Sequence, residues 1–198
     1  MKKIILAIAV VGLSSAAFAA EPGQSGYYSG LQAGFANSHL KISDEDFTTD
    51  GLSLNGVVGG VFLGTRADIS EQAFWGLEVN AQLNGNQFKE TTADSKVTIK
   101  NEYGFGGHVV AGIHASSSTR IYAKAGYQKS KFKASYKDNN GSESGSAKLD
   151  GFSYGGGGEV ALSNEFSLRM DWTQIHYSSK NGLKPTDTVV QVGVVYNY

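Results

Sequence analysis

The chain has 198 residues, with 17 basic and 18 acidic side chains, a net charge of −1 and no cysteine. That balance lacks the basic footprint of a nucleic-acid binder, and the missing cysteines exclude a disulfide framework. Glycine is abundant, at 26 residues, and proline is scarce, at 2, which suits long strands in a continuous sheet.

The first segment reads as an export signal. Lys2 and Lys3 form a positive start, Ile4 to Leu13 a short apolar run, and Ala17-Phe18-Ala19 a small-residue cleavage site. The run is too short to span a bilayer as a helix, and no cysteine follows it to accept a lipid. We therefore expect a signal peptide over 1–19, cleaved after Ala19 or, as the runner-up, after Ala20. A single domain over 20–198 follows, with 17 − 2 = 15 basic residues against 18 acidic ones.

Eight segments then alternate with period two, the repeat that sends successive side chains to opposite faces of a strand. YYSGLQAGFA sets Tyr27, Leu31, Ala33 and Phe35 against Tyr28, Gly30, Gln32 and Gly34. In LNGVVGGVFLG, glycines fall on both faces and leave its register open. FWGLEVNAQLNG is the clearest, with Trp75, Leu77, Val79, Ala81 and Leu83 opposite Gly76, Glu78, Asn80, Gln82 and Asn84. VTIKNEYGFGGHVVAGIH puts Tyr103, Phe105, Val109, Ala111 and Ile113 opposite Lys100, Glu102, His108 and His114. RIYAKAGYQ opposes Ile121, Ala123 and Ala125 to Tyr122, Lys124 and Gln128. FSYGGGGEVAL and FSLRMDW oppose Phe152, Tyr154, Val160, Phe166, Leu168, Met170 and Trp172 to Glu159, Arg169 and Asp171. VVQVGVVYNY closes the series with Val190, Val192, Val194, Tyr196 and Tyr198 on one face.

The connections alternate too. They are long over 37–53, 86–96, 129–151 and 178–187, and short over 65–73, 115–119 and 163–165. Strands of about ten residues, with short turns on one side and long polar loops on the other, describe a barrel that crosses an outer membrane. Aromatics gather at the short-turn ends (Tyr27, Phe74, Trp75, Tyr122, Phe166, Tyr196, Tyr198), where a headgroup-level girdle belongs. The expected fold is all-β: an eight-stranded, antiparallel, up-and-down transmembrane β-barrel in the bacterial outer membrane. Closure requires the last strand to pair with the first, because an open edge in lipid leaves backbone groups unsatisfied.

Eight strands leave an interior that side chains fill. By parity Glu78, Lys100, Glu102, Lys124, Glu159, Arg169 and Asp171 face it, and they should pair, because a lone buried charge costs several kcal/mol.

GLEVNAQL, RIYAKAGY, GGGGEVALSNEFSLRMDW and VGVVYNY resemble the barrels of the outer-membrane protein A, opacity-type and attachment-invasion families. The resemblance implies that Glu78, Lys124, Glu159 and Arg169 occupy the interior gate of such barrels. It also implies that Tyr196 and Tyr198 end a segment read by the barrel-assembly machinery. The peptidoglycan-binding domain of the full family member has no counterpart here, so a cell-wall tether is not implied.

With the interior filled, specificity falls to the loops. Alternate lysines Lys129, Lys131 and Lys133 lie on one face and suit anionic partners: outer-membrane lipids and lipopolysaccharide, or host surface molecules. Asp44, Glu45, Asp46 and Asp50 read as a solvated loop, so neither a metal nor a cofactor is expected. Two alternatives differ in class. One is a small gated pore. The other is a lipid A-modifying enzyme, because IHYSSKNGLKPTD resembles the His-x-Ser segment of outer-membrane deacylases through His176 and Ser178. Val190 stands where that family's glutamate belongs, leaving the acidic role to Asp187 or to nothing. The leading expectation is a structural or adhesive surface barrel.

Overall fold

The computed structural model describes residues 26–44, 47–85, 87–91, 95–138, 142–178 and 183–198. The expected signal peptide, 1–19, and the loop residues Glu45 and Asp46 lie outside them, as do the side chains of Asp44 and Asp50. The elements are β1 (Gly26–Asp44), β2 (Phe47–Asp68), β3 (Ala73–Asn84), β4 (Gln87–Thr91), β5 (Ser95–His114), β6 (Thr119–Asp138), β7 (Ser142–Ala161), β8 (Phe166–Tyr177) and β9 (Leu183–Asn197). All neighbours pair antiparallel, and β3 and β4 are successive pieces of one stave, both paired with β5. The wall is thus an eight-strand barrel, closed by β9 on β1 from Tyr28↔Asn197 to Ile42↔Leu183. At the end of this seam the Tyr198 amide donates to the Tyr27 carbonyl at 3.0 Å. The final aromatic is structural because the seam reaches it.

The three short turns share one device. Ile69, Ala115 and Leu162 each donate a backbone N–H across the turn, to Ala73, Thr119 and Phe166, at 2.8, 2.9 and 2.8 Å. The next residue is a serine in every case. Ser70, Ser116 and Ser163 each accept a backbone N–H within the turn through their hydroxyls, the local bonding that makes serine a turn residue. At the opposite end the expected loops over 37–53 and 129–151 are mostly continued strand. β1 and β2 pair out to Asp44↔Phe47, and β6 and β7 out to Lys137↔Ser142. On β6 and β7 the outward residues of these extensions are polar (Lys129, Lys131, Lys133, Lys148 and Asp150), so hydrophobic alternation does not reveal them.

The side-chain inversion is as expected. Leu31, Phe35, Val61, Leu77, Val79, Leu83, Phe105, Val109, Leu168, Met170 and Val192 are exposed on the outer wall. Glu78, Lys124, Glu159, Arg169 and Asp171 are buried within. Outward aromatics bound the apolar band. Tyr27, Trp75 and Phe166 lie at the short-turn edge, with Tyr103, Tyr127, Phe152 and Trp172 toward the other. Phe166, Tyr196 and Tyr198 form a ring chain with centroids 5.2 and 4.9 Å apart. Two residues assigned to the girdle do not join it, because Phe74 and Tyr122 sit on the inward parity and are buried with Val110. β2 resolves its register with Val58, Phe62 and Gly64 inward and Val57, Val61 and Leu63 outward. Its inward glycine serves packing: a Cβ on Gly64 would overlap the Tyr28 ring, as one on Gly30 would overlap Phe62.

Candidate functional site

The lumen is filled at three levels. At the short-turn end, Glu159 receives two guanidinium groups, Arg66 at 3.0 Å and Arg120 at 2.7 Å. Beside it His114 meets Asp68 at 3.1 Å. One layer further in, Arg169 bridges two carboxylates. It donates through Nη1 and Nη2 to Glu78 at 2.6 and 3.2 Å and through Nε to Asp171 at 2.6 Å. Lys124 reaches Asp171 at 3.1 Å, Tyr28 donates to Glu78 at 3.0 Å and Tyr122 to Asp171 at 2.8 Å. The Arg169 guanidinium also lies against the rings of Phe62 (4.5 Å) and Tyr122 (4.9 Å). Each charge in this layer thus has an opposite charge, and the aromatics cover the remaining faces. That is the condition under which buried ions are tolerated.

The middle level is neutral and polar. Gln32 donates to Gln191 at 3.1 Å, and His108 meets Ser153 at 2.9 Å, around a cavity of about 10 Å³. Toward the outer mouth, Ala36, Val58, Ile175, Tyr177 and Val189 pack together with Phe132 and Leu149. One carboxylate is set among them. Asp187 accepts from Tyr177 at 3.0 Å and from Asn101 at 3.3 Å. It lies beyond the apolar band, which begins on β9 at Val190, and burial pushes its ordinary value of 3.8 up to about 6.

Five of the seven expected interior charges converge here: Glu78, Lys124, Glu159, Arg169 and Asp171. Lys100 and Glu102 do not. A β-bulge in β5 between Asn101 and Tyr103 shifts the parity, turning Asn101 inward and carrying Lys100 to the outside, where it is exposed. Glu102 instead receives Lys131 at 2.9 Å on the outer surface. This contact lowers the Glu102 carboxyl and raises the Lys131 amine from their ordinary values. Parity reading missed Arg66 because the glycines of β2 hid its register. It missed Arg120 because the residue opens its strand, although Arg120 shares the phase of Tyr122 and Lys124.

His176 and Ser178 both face outward. His176 stacks on Tyr154 with centroids 5.7 Å apart, and Ser178 is tied through its backbone to Asp150 at 2.8 Å. Asp187 is on the inner face, so the one acid that sequence offered cannot orient His176. His176 and Ser178 are thus separated from Asp187 by the barrel wall.

On the outer surface above the band, Lys129, Lys131 and Lys133 run along β6. They adjoin Lys100, the cross-strand partner of Lys133, and Lys148, the partner of Lys131. Tyr103, Phe105, Lys129, Lys131, Lys148 and Asp150 line a cavity of about 130 Å³ at this level.

Residues 5–198 match the model of the outer membrane protein beta-barrel domain. No curated protein matches the chain. Among solved structures, the attachment invasion locus protein Ail of Yersinia pestis, in complex with the heparin analogue sucrose octasulfate, is 18% identical. The match covers 87% of this chain and 99% of that one, with a TM-score of 0.51. Neisserial surface protein A is 16% identical over 88% of this chain and 99% of that one, also at 0.51. OprG of Pseudomonas aeruginosa is 13% identical over 90% and 99%, at 0.46. Closed, inverted and matched along almost its whole length, the chain belongs to the outer membrane protein beta-barrel domain family and is a bacterial outer-membrane protein.

Proposed function

We propose that this is a non-enzymatic surface barrel that contacts polyanions outside the cell through the lysine ridge of its strand extensions. The observation that carries this reading is the placement of five lysines, Lys100, Lys129, Lys131, Lys133 and Lys148, on adjoining strands above the apolar band. Five lysines stand there with two carboxylates, Glu102 and Asp150, among the described side chains, and a patch with such a cationic excess attracts polyanions over about a Debye length. Ail, of the same fold, was solved with a sulfated heparin analogue, which supports the same ligand chemistry here. The lumen, filled at three levels, suits a structural and adhesive role better than a conducting one. The seam position of Tyr196 and Tyr198 is consistent with a segment that the barrel-assembly machinery reads.

The test is heparin binding by the detergent-folded protein at two salt concentrations. Wild type should bind more weakly as salt rises. The Lys100→Gln, Lys133→Gln double variant, which alters the upper end of the ridge, should lose about 30-fold in affinity at low salt, at the roughly 1 kcal/mol per lysine typical of anionic surfaces. Unchanged binding in that variant would remove the ridge from the interaction.

A further inference from the structure

The short-turn end of the barrel carries a cavity of about 200 Å³. Glu71 of the β2–β3 turn lines it, with His114, Ser116, Ser117, Ser118 and Arg120 from the β5–β6 turn and its flanks. At about 30 Å³ per water this is room for about six or seven waters, whereas the cavity in the middle of the lumen measures about 10 Å³. Glu71 and the three serines are exposed, so the cavity is entered from solvent on the short-turn side, which faces the periplasm in such barrels.

Its rim is already built. The His114 N–H donates to the Gln72 carbonyl at 2.8 Å, and the N–H of Ala161, which also lines the cavity, donates to the Ser118 carbonyl at 2.8 Å. Backbone bonds thus tie the three lining segments to one another. A ligand meets a fixed shape and does not have to order one, which lowers the cost of binding.

The charged groups on this rim are unevenly used. Arg66 gives Glu159 two N–H groups, but Arg120 gives it only Nη1. A guanidinium has five N–H donors, and the others of Arg120 have no acceptor among the described residues. Asp68 is met by His114. Glu71, on the neighbouring turn, has no basic partner among the described residues. The Ser116 hydroxyl accepts the Ser118 N–H at 3.3 Å, whereas Ser117 makes no hydrogen bond among the described residues and leaves its N–H and hydroxyl at the turn tip. One space is therefore lined by a guanidinium with donors to spare and by a carboxylate with no counter-charge.

We propose that this cavity binds a short zwitterionic peptide from the periplasm. Arg120 and Ser117 take its carboxylate, the guanidinium through the paired donors that suit a carboxylate, and Glu71 takes its ammonium. A simple anion would gain from Arg120 and be opposed by Glu71, and a simple cation would meet the reverse. A molecule with both charges gains from each. The volume suits a dipeptide of small residues. The site lies at the opposite end of the barrel from the lysine ridge and does not depend on polyanion capture.

The experiment is calorimetric titration of the detergent-folded protein with dialanine. N-acetyl-dialanine lacks the ammonium, dialanine amide lacks the carboxylate, and free alanine carries both charges on a shorter molecule. We expect saturable binding of dialanine in the millimolar range and binding of each of the other three that is about 10-fold weaker or more, the scale of one charge-assisted hydrogen bond. Arg120→Gln should weaken dialanine by about 10-fold or more and leave dialanine amide unchanged. Glu71→Gln should weaken dialanine to the same extent and leave N-acetyl-dialanine no weaker than in wild type. The Lys100→Gln, Lys133→Gln variant should bind dialanine as wild type does. Heat-dependent gel migration checks folding. If Arg120→Gln fails to fold, Glu71→Gln, on an exposed turn, carries the test alone. Absence of dialanine binding to wild type, or equal binding by wild type and Glu71→Gln, would overturn the site. Alanine binding as tightly as dialanine would overturn the peptide as its ligand.

Discussion

The two halves of the lumen fill the same bore by opposite means. Toward the short turns the space is occupied by ions: Glu78, Arg169, Asp171 and Lys124, with Arg66, Arg120 and Glu159 behind them. Toward the outer mouth it is occupied by Val58, Ile175, Tyr177 and Val189, with Asp187 the one carboxylate set among them in the described residues. An ionic plug holds through mutual neutralisation, so deleting one member strands the others. An apolar plug holds through volume, so deletion costs in proportion to the space left. Mutual pairing thus holds the first half and close packing the second.

The largest expected effect breaks the ionic half. Arg169→Ala leaves Glu78 and Asp171 buried without their shared guanidinium and should cost about 3–5 kcal/mol in urea unfolding from lipid bilayers. The Arg169→Met, Glu78→Gln, Asp171→Asn triple variant should recover much of this, since the charges are removed together. A triple variant no more stable than Arg169→Ala would show that the layer is not held by charge pairing. In the apolar half, Ile175→Ala should cost about 2–4 kcal/mol in the same measurement, with no such rescue by a polar replacement.

Leu77→Arg sharpens the contrast between inside and outside, because Leu77 adjoins Glu78 but faces lipid. It should cost about 2–4 kcal/mol, whereas the Arg169 guanidinium, held on the inner face by the adjoining Glu78, is part of the structure. The smallest effect concerns Asp187 and is read as a pH dependence. Its folded pKa, about 6, lies above its ordinary 3.8, so the folded state binds this proton more tightly. The associated stability is present below about pH 4 and is lost as pH rises through 6. Asp187→Asn should therefore match wild type at pH 4 and exceed it at pH 7.5 by up to about 2–3 kcal/mol. An identical pH profile in the two proteins would refute the shifted carboxyl.

How much of this was legible in the sequence depends on what enforced the alternation. On β3, β8 and β9 each outward residue meets lipid, so Trp75 to Leu83, Phe166 to Trp172 and Val190 to Tyr196 announce their face directly. On β2 glycines stand on both faces, and register is decided by rings reaching across from Tyr28 and by neighbours distant in sequence. Arg66 was hidden for that reason. Above the membrane the outward face is wet, and the inward face sets polar Asn101 and Asp187 among apolar neighbours, so alternation no longer marks the two faces. Nothing in VTIKNEYG signals that Asn101 turns inward to Asp187, and the parity rule carried Lys100 and Glu102 to the wrong side. The ionic layer itself was legible through Glu78, Lys124, Glu159, Arg169 and Asp171. Its aromatic cover of Tyr28, Phe62 and Tyr122 was not, since strand aromatics read equally well as girdle. For the His176–Ser178 resemblance, sequence spacing did not show that Asp187 lies on the other side of the wall.

The extra residue in β5 uncouples two stretches of the same strand. Below Tyr103 the facing of every side chain is clamped by the bilayer, and a slip of one position would put His108 into oil. Above it, that clamp is absent and the ladder resumes in a new phase. An insertion or deletion near the bulge would therefore rotate the exposed chemistry of the hairpin while leaving the spanning portion undisturbed. Such a joint lets the surface of the molecule be rewritten one residue at a time without the barrel having to refold.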